Sequence, residues 1–585
     1  MMKSSILISD LFEACRAGNQ VSRDYDPQKW LAYEYSTDEV AGTVLFCGPE
    51  QNAPELRIAL GQTGWHRIYL GIHYGMVAFP LESRIQIAGQ RLHPFILRAR
   101  LSGENWRDMI EPELPSRRQA GYYTPAEEAP GWREVSWDVV DEVHWRAADL
   151  DGRDLLISPH REINHEWAAA ALAFVRLEPM DENDMADVER ERPRSDTRRM
   201  FGKHDGSHPP LDEQETRKWL EPLRDSDFEI IAWGASFTDQ TFYPSHVGHQ
   251  QSDPWHVLSL ANKRPLPADG FDMLKCAADV CHEMGIEILG SMRPGGGRFP
   301  PSHLTQTGRS FFYDHPEFWC VSETGEPVGH LSLAFPEVRR LQIDVMREYF
   351  DGRDLDGVHY YFNRCFPFVL YEEPVVRDFQ ARHDEDPRRL PFEDERWLEH
   401  RCGYITTFMR ELRAMVDEIG RAKGRHLKVC PTIVNSIENC WINGYDIATW
   451  IEEGLVDGLL VHPCFSGIRT DGDDRVTPET IKPISDLAAP RGVKVWADLY
   501  PRYKPAEHFR QQALSFYDAG IHGVGYHDYY VRCQRKSEWS MIRMLGHREE
   551  LKGWRDKALS FSRTHRLKSI CGMSNDPRYW THTNG

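Results

Sequence analysis

At 585 residues the chain is too long for one hydrophobic core, so two or more domains are expected. Its apolar fraction of 41% and charged fraction of 27% are those of an ordinary globular protein. The formal charge of −20 argues against nucleic acid or an anionic membrane surface as a partner, since either would be repelled.

The amino terminus, MMKSSILISDLFEACRAGN, has a short apolar run broken by Ser and Asp and lacks the long h-region of an export signal. No stretch approaches the roughly 20 apolar residues of a membrane span. The 12 cysteines form no CxxC pair and no finger spacing, which fits reduced thiols and a cytoplasmic location better than a disulfide framework. Cys430, Cys464 and Cys571 lie in apolar strand contexts and read as small core residues.

Residues 1–180 read as a β-sandwich. Runs such as GTVLF, RIYLGIH, ESRIQI, RLHPFILRARL and DLLISPH are separated by Gly, Pro, Asn and Asp at the spacing of antiparallel strands, and FVRLEPM closes the domain. Trp65 to Gly75 loosely resembles a ligand-reporting strand of galactose-binding-like sandwiches, so this domain reads as either a carbohydrate-contacting or a packing module. Residues 181–217 mix charge, Pro and Gly with almost no apolar period and read as a linker.

Residues 218–585 alternate buried strands with amphipathic helices, the pattern of repeated βα units. Strands are expected at 228–236, 286–292, 355–362, 427–434, 456–463, 493–500, 522–530 and 567–573. Helical stretches such as EVRRLQIDVMREYF and AEHFRQQALSFYDAG lie between them, and Gly residues in GLVDGLL and DAGIHGVGY stand where C-caps should. The fold class this implies is α/β, a (β/α)8 TIM barrel preceded by the β-sandwich. In such barrels the active site sits at the carboxyl ends of the strands.

The run YDHPEFWCVSETGEPVGHLSLAFPEVRRLQIDVMREYFDGRDLDGVHYYFNR resembles the glycoside-hydrolase-like family 10 barrels. They show a His-Pro-Glu phrase, an Ala-x-Pro-Glu-Val-Arg helix start and an Asp-Gly-hydrophobic-His strand in that order. The likeness extends through ENCWINGYDIATWIEEGLVDGLL and EWSMIRMLGHREEL, covering roughly Phe228 to Leu551. It implies an oligosaccharide substrate and hydrolytic chemistry; no cofactor is expected. One departure matters: related barrels often carry carboxylates two and three residues after the strand His, where this chain has Tyr361 and Phe362.

Glycosidic cleavage needs two carboxyl groups across one bond, so Asp and Glu at strand carboxyl ends are the candidates. Asp239, Glu372 or Glu373, Glu438, Asp498 and Asp528 qualify. Of these, Glu438, Asp528 and Asp498 are the expected catalytic residues, the first two by fold analogy with retaining barrels whose acid follows strand four and whose nucleophile ends strand seven. The expected substrate contacts are His359, Tyr361, Asn363, Arg364, Glu373, His462, His527, Arg293 and Trp233. Arg293, Arg298, Arg364 and Arg502 follow strand ends, where a guanidinium can grip a carboxylate or sulfate or pair with the site's own acids.

Histidines at three strand ends, His359, His462 and His527, with His246, His249, His256 and His303 in the loops, raise a metal-dependent lyase or isomerase as an alternative. No HxH on the first strand and no HExxH occurs, so the expectation is no metal. A third alternative, a non-catalytic carbohydrate-binding barrel, is suggested by Tyr361 and Phe362. A second copy of the chain is the one protein partner the sandwich-and-barrel layout suggests.

Overall fold

The computed structural model describes residues 5–48, 50–74, 97–104, 108–110, 139–159, 169–190, 198–204, 210–220, 223–224, 226–250, 270–294, 311–364, 366–463, 475–500, 506–527, 545–549, 551 and 562–574. Two compact units emerge, each discontinuous in sequence: Met1–Arg194, Pro501–Gln511 and Val531–Gly585 form the first, and Ser195–Tyr500 with Gln512–Tyr530 the second. The division at Ser195 falls within the stretch 181–217 expected as a linker. That stretch holds the helices Glu182–Arg190 and Glu213–Leu220 and the strand Met200–His204.

The first unit carries antiparallel sheets. In the larger, Trp30–Thr37, Ala41–Cys47, Ala170–Pro179, Trp65–Tyr74, Val139–Asp149 and Ser562–Ile570 follow one another across the sheet. A smaller sheet joins Leu56–Ile58, Leu155–Pro159, Leu97–Leu101 and Asp108–Ile110. Alternating apolar residues such as Ile68, Leu70, Ile72, Leu172, Phe174 and Val143 share one core with Trp30 and Trp145. The expected strand ESRIQI lies outside the described residues.

The strand expected at 567–573 belongs to this unit. Within Ser562–Ile570, residues Ser562 to Arg566 pair with Val139 to Val143, and Leu567 to Ile570 pair with Tyr35 to Thr37. Its apolar pattern fits any sheet, and nothing local names the partner. Cys571, expected in a core, is exposed at a positive-φ turn after this strand, whereas Cys430 is buried and Cys464 is outside the described residues.

In the second unit the strands along the main path of the large sheet are parallel. They are β1 (Met200–His204), β2 (Phe228–Phe237), β3 (Glu287–Arg293), β4 (Gly357–Tyr360), β5 (Lys428–Val429 and Thr432–Ile433), β6 (Gly458–Val461), β7 (Lys494–Asp498) and β8 (Gly523–His527). The pairing order runs β4, β3, β2, β1, β8, β7, β6. At its two ends the first piece of β5 pairs with β4 and the second with β6, so the order returns on itself through Lys428–Ile433. Helices lie between successive strands, among them Met273–Glu283, Pro336–Glu348, Glu395–Lys423 and Pro478–Ala488.

Side chains on one face of a strand recur every second residue. Phe201, Ile230, Ala232, Leu289, Cys430, Leu460 and Trp496, from β1, β2, β3, β5, β6 and β7, meet in one buried cluster. This apolar plug packs on one face of the sheet, and residues two positions further along each strand lie on the same face, toward the carboxyl ends.

Candidate functional site

Advancing two residues from the plug changes the chemistry completely. Phe201 is followed by Lys203, Leu289 by Ser291, Cys430 by Thr432, Leu460 by His462 and Trp496 by Asp498, with His359 of β4 and His527 of β8 beside them. Every one of these side chains is buried, and Asp498 is 1% exposed. A shell of titratable groups packed on an apolar floor is costly unless its members satisfy one another.

They do so around Asp498. Its Oδ2 accepts from Nδ1 of His462 at 2.5 Å and lies 3.2 Å from the Lys203 ammonium. Burial by itself would raise the Asp498 carboxyl, but Lys203 and His462 more than offset it and hold the group well below the usual carboxylate range. His462 moves down to about 3, because burial and the Lys203 charge outweigh the attraction of Asp498. At neutral pH the cluster therefore contains an ionised Asp498 and a neutral His462. Because an ionised carboxylate only accepts, the His462 proton sits on Nδ1, and Nε2 keeps its lone pair.

Oδ1 of Asp498 has no hydrogen-bond partner among the described residues. Its neighbour is Gly525, which is opposite Asp498 in the β7–β8 register. A Cβ at Gly525 would meet Oδ1 at 2.5 Å and Leu460 Cδ1 at 2.6 Å, so only glycine leaves room beside that oxygen.

His359 is held differently. Its Nδ1 lies 2.6 Å from Ser291 Oγ and its Nε2 2.7 Å from Thr432 Oγ1, so both ring nitrogens are occupied by neighbours. Burial, followed by the Lys203 charge, pushes its proton affinity well down. Tyr361 stands edge-on to His359 at 4.5 Å, its ring 5.3 Å from the Lys203 ammonium, and its hydroxyl donates to the His204 carbonyl at 3.4 Å. Arg364 places Nη2 3.4 Å from Nε2 of His527, and the His527 ring is 5.3 Å from that of His462. Asn363 is 3% exposed, and neither end of its amide has a hydrogen-bond partner among the described residues.

The structure thus brings together His359, Tyr361, Arg364, His462, Asp498 and His527, with Asn363 next to Arg364 in the chain. Other expected members have different surroundings. Glu438 is exposed in the first turn of the helix Ile437–Ile442. Asn435 and Asn439, which flank it, bond each other at 2.7 Å, and Asn435 donates to the Arg475 carbonyl. Glu373 opens the helix Glu373–His383, is 84% exposed at its side chain and lies 3.7 Å from Arg377. Its neighbour Glu372 is buried, raised by burial, and accepts from the Leu370 amide. Asp239 is buried and accepts from the Phe311 amide at 2.7 Å.

Trp233 corrects a further expectation. Ile230 and Ala232 point into the plug, so Trp233 is on the opposite face of β2, where it stacks on His204 at 4.1 Å and 10°. It is fully buried there, with no face left for a sugar ring. Arg293, at the end of β3, is half-buried with its guanidinium 5.4 Å from the Phe237 ring. Asp528, Arg298, Arg502, His256 and His303 lie outside the described residues.

No sequence motif marks Lys203, Ser291 or Thr432 as members of this cluster. Lys203 sits in RRMFGKHDG, whose strand is only five residues long and adjoins charged residues on both sides. The available signal was register: given a plug residue at Phe201, the residue two further on must face the mouth.

Among the described residues, His462, Asp498 and His527 are the group whose donor atoms lie within 4.8 Å of one another, as a metal ion would require. The donor types suit a divalent cation, but the charges do not. Lys203 already lies against Asp498, and Arg364 approaches His527, so an added cation would have to displace one positive charge and face another. Among the described residues no helix is long and apolar enough to cross a membrane.

No family model and no curated protein matches the chain. Solved structures similar to it include glycoside hydrolases. Alpha-L-fucosidase isoenzyme 2 from Paenibacillus thiaminolyticus aligns at 14% identity over 62% of this chain and 50% of that one, with a TM-score of 0.39. A beta-galactosidase from the psychrophilic Marinomonas ef1 aligns at 13% over 62% of both chains, with a TM-score of 0.38. A GH18 chitinase from Pseudoalteromonas aurantia aligns at 11% over 58% of this chain and 97% of that one, with a TM-score of 0.31. The chain spans between half and two thirds of the first two, and likenesses this distant carry over no residue roles.

Proposed function

We propose that the chain is a glycoside hydrolase whose second unit is a (β/α)8 barrel cleaving an O-glycosidic bond of an oligosaccharide at the carboxyl ends of β1 to β8. The first unit is a sandwich-class module accompanying it. Asp498 is the central carboxylate, and Asp528 or Glu438 supplies the second carboxyl group. His462, His527, Arg364 and Asn363 hold substrate hydroxyls, through lone-pair acceptors on the imidazoles and donors on the guanidinium and amide.

The observation that supports this reading is the state of Asp498. It is a buried carboxylate kept ionised by Lys203 and His462, next to the strand ends where barrel enzymes work. Cleavage through an oxocarbenium-like transition state calls for a fixed negative charge beside the anomeric carbon, and the plug beneath excludes water from one side of it. The test is hydrolysis of a panel of aryl glycosides and oligosaccharides by the wild-type protein and by Asp498→Asn. Turnover that disappears in the variant while circular dichroism is unchanged supports the assignment; equal turnover in both removes Asp498 from the chemistry.

A second reading, a metal-dependent lyase or isomerase on a modified sugar, is favoured by the proximity of His462, Asp498 and His527 alone. Elemental analysis of the purified protein and activity after chelation separate the two. A stoichiometric ion whose removal abolishes turnover selects the metal enzyme.

A further inference from the structure

The chain leaving β4 carries Asn363 and Arg364, and on either side of them it is tied to one short turn after β5. Before them, the Tyr445 hydroxyl donates to the Phe362 carbonyl at 2.8 Å. After them, Arg401 of the helix Glu395–Lys423 donates through Nε to the Val369 carbonyl at 2.9 Å and through Nη1 to the Ile442 carbonyl at 3.0 Å. Gly444 lies between Ile442 and Tyr445 with a φ of 88°, and a Cβ there would meet Ile405 Cδ1 at 2.8 Å, so the turn rests directly on the helix that carries Arg401. The segment after β4 is also bonded to the crossover between β3 and β4, where the Leu333 amide donates to the Phe368 carbonyl at 2.8 Å. Arg401 and Tyr445 are what fasten it to the turn after β5.

A guanidinium is a costly group to use for such a tie. Arg401 is fully buried, its charge 4.8 Å from the Phe392 ring, with no carboxylate in ion-pair contact among the described residues and with Nη2 lacking a hydrogen-bond partner there. A hydrocarbon side chain of similar size would fill the space without the loss of hydration. It could not donate to two carbonyls at once, whereas the planar fork of an arginine fixes both acceptors relative to each other. The guanidinium therefore contributes geometry, the spacing between the exit of β4 and the turn after β5. Arg364 extends from the tied segment to His527 of β8, with Nη2 3.4 Å from Nε2, and so carries that spacing across the mouth.

Resting on the hydrolase reading above, we propose that Arg401 is a positioning residue that, together with Tyr445, holds Asn363 and Arg364 where they meet the substrate. Both act through backbone carbonyls. Their loss weakens the binding of substrate and transition state alike and leaves the chemical step beside Asp498 in place.

The test compares the full-length wild type with Arg401→Met, Arg401→Lys and Tyr445→Phe. Hydrogen exchange needs no substrate: in Arg401→Met the amides of 366–371 and 442–445 should exchange about tenfold faster or more, while those of β7 keep their wild-type protection. On whichever aryl glycoside or oligosaccharide the wild type hydrolyses, KM should rise about tenfold, as for one lost charge-assisted hydrogen bond, with kcat within about twofold. Arg401→Lys, which keeps the charge but reaches one carbonyl at a time, should fall between the two. Tyr445→Phe removes a single hydroxyl, should move exchange and KM in the same direction, and serves in place of Arg401→Met if that variant does not fold. Unchanged exchange in both segments overturns the tie, and faster exchange with KM unchanged, or a loss confined to kcat, overturns its role in substrate binding. A wild type that hydrolyses no glycoside overturns the hydrolase reading instead, and the exchange measurement then decides the tie by itself.

Discussion

Lys203 and Asp498 form a buried pair, and removing one member of such a pair exposes the cost of the other. Lys203→Met leaves Asp498 with only the His462 hydrogen bond against full burial. Urea denaturation should show a loss of about 3 kcal/mol, in the range typical of a stranded buried charge. Turnover should fall by at least about 100-fold, because the carboxylate moves toward its neutral form. Gly525→Ala probes the same oxygen from the other side. Its Cβ falls 2.5 Å from Oδ1, so the variant should lose about 1–3 kcal/mol and most of its turnover. A variant of unchanged melting temperature and activity would show that β7 and β8 separate freely at this point, against the register seen here.

The histidine cluster was legible as residue types at strand ends, and His359, His462 and His527 do converge. Their division of labour was not legible, since it depends on partners brought from other strands. His359 is locked between two hydroxyls, Ser291 and Thr432, that no local motif marks. The surroundings of Glu438, exposed in the first turn of a helix, and of Trp233, on the outer face of β2, were not legible for a related reason. A carboxylate one turn into a helix and an indole on the outer face of a strand look the same in sequence as residues pointing into the mouth. Only the period-two alternation, once anchored on the plug, tells them apart.

At the scale of elements, the plug is what holds the polar shell in place. Trp496 is its largest side chain, packs edge-on to Phe201 at 5.2 Å, and lies two residues before Asp498 on β7. Trp496→Ala should cost about 3–5 kcal/mol by cavity formation. If the cavity loosens β7, turnover should fall even at temperatures where the protein remains folded, and differential scanning calorimetry beside a kinetic assay would show both. The parallel strands were largely readable because a buried parallel strand is a short apolar run between Gly and Pro signals. β1 was hidden because a five-residue strand carrying Lys203 and His204 looks like the charged stretch around it. The alternation of strand and helix carried the class even where that strand was missed.

At the scale of the whole molecule, the chain leaves the first unit, builds most of the second, and returns. The returning strand Ser562–Ile570 is fastened by His565, whose Nε2 lies 2.7 Å from Glu142, and Glu142 also accepts from Arg176 Nε at 2.7 Å. Burial alone would raise the Glu142 carboxyl, but His565 and Arg176 more than offset it, so it is held below its ordinary value of 4.5. A carboxyl lowered in the folded state contributes stability that is present above the unfolded value and lost as pH falls through the folded one. Hydrogen exchange in Ser562–Ile570 should therefore accelerate as pH drops below about 4.5, after correction for intrinsic rates, and Glu142→Gln should flatten that acid dependence. Protection that tracks pH identically in both proteins would place the acid sensitivity elsewhere.

Ser36 and Ser569 share a 2.6 Å hydrogen bond although they lie 533 residues apart in the chain. On the ribosome, the earliest strands must wait for almost the entire polypeptide before they acquire that neighbour. Until then Trp30–Thr37 and Val139–Asp149 each present a bare edge, the surface most prone to recruiting strands from other nascent chains. A prematurely terminated product lacking residues 562–570 should consequently be found in inclusion bodies or bound to chaperones, even though every residue of the polar shell described above has already been synthesised.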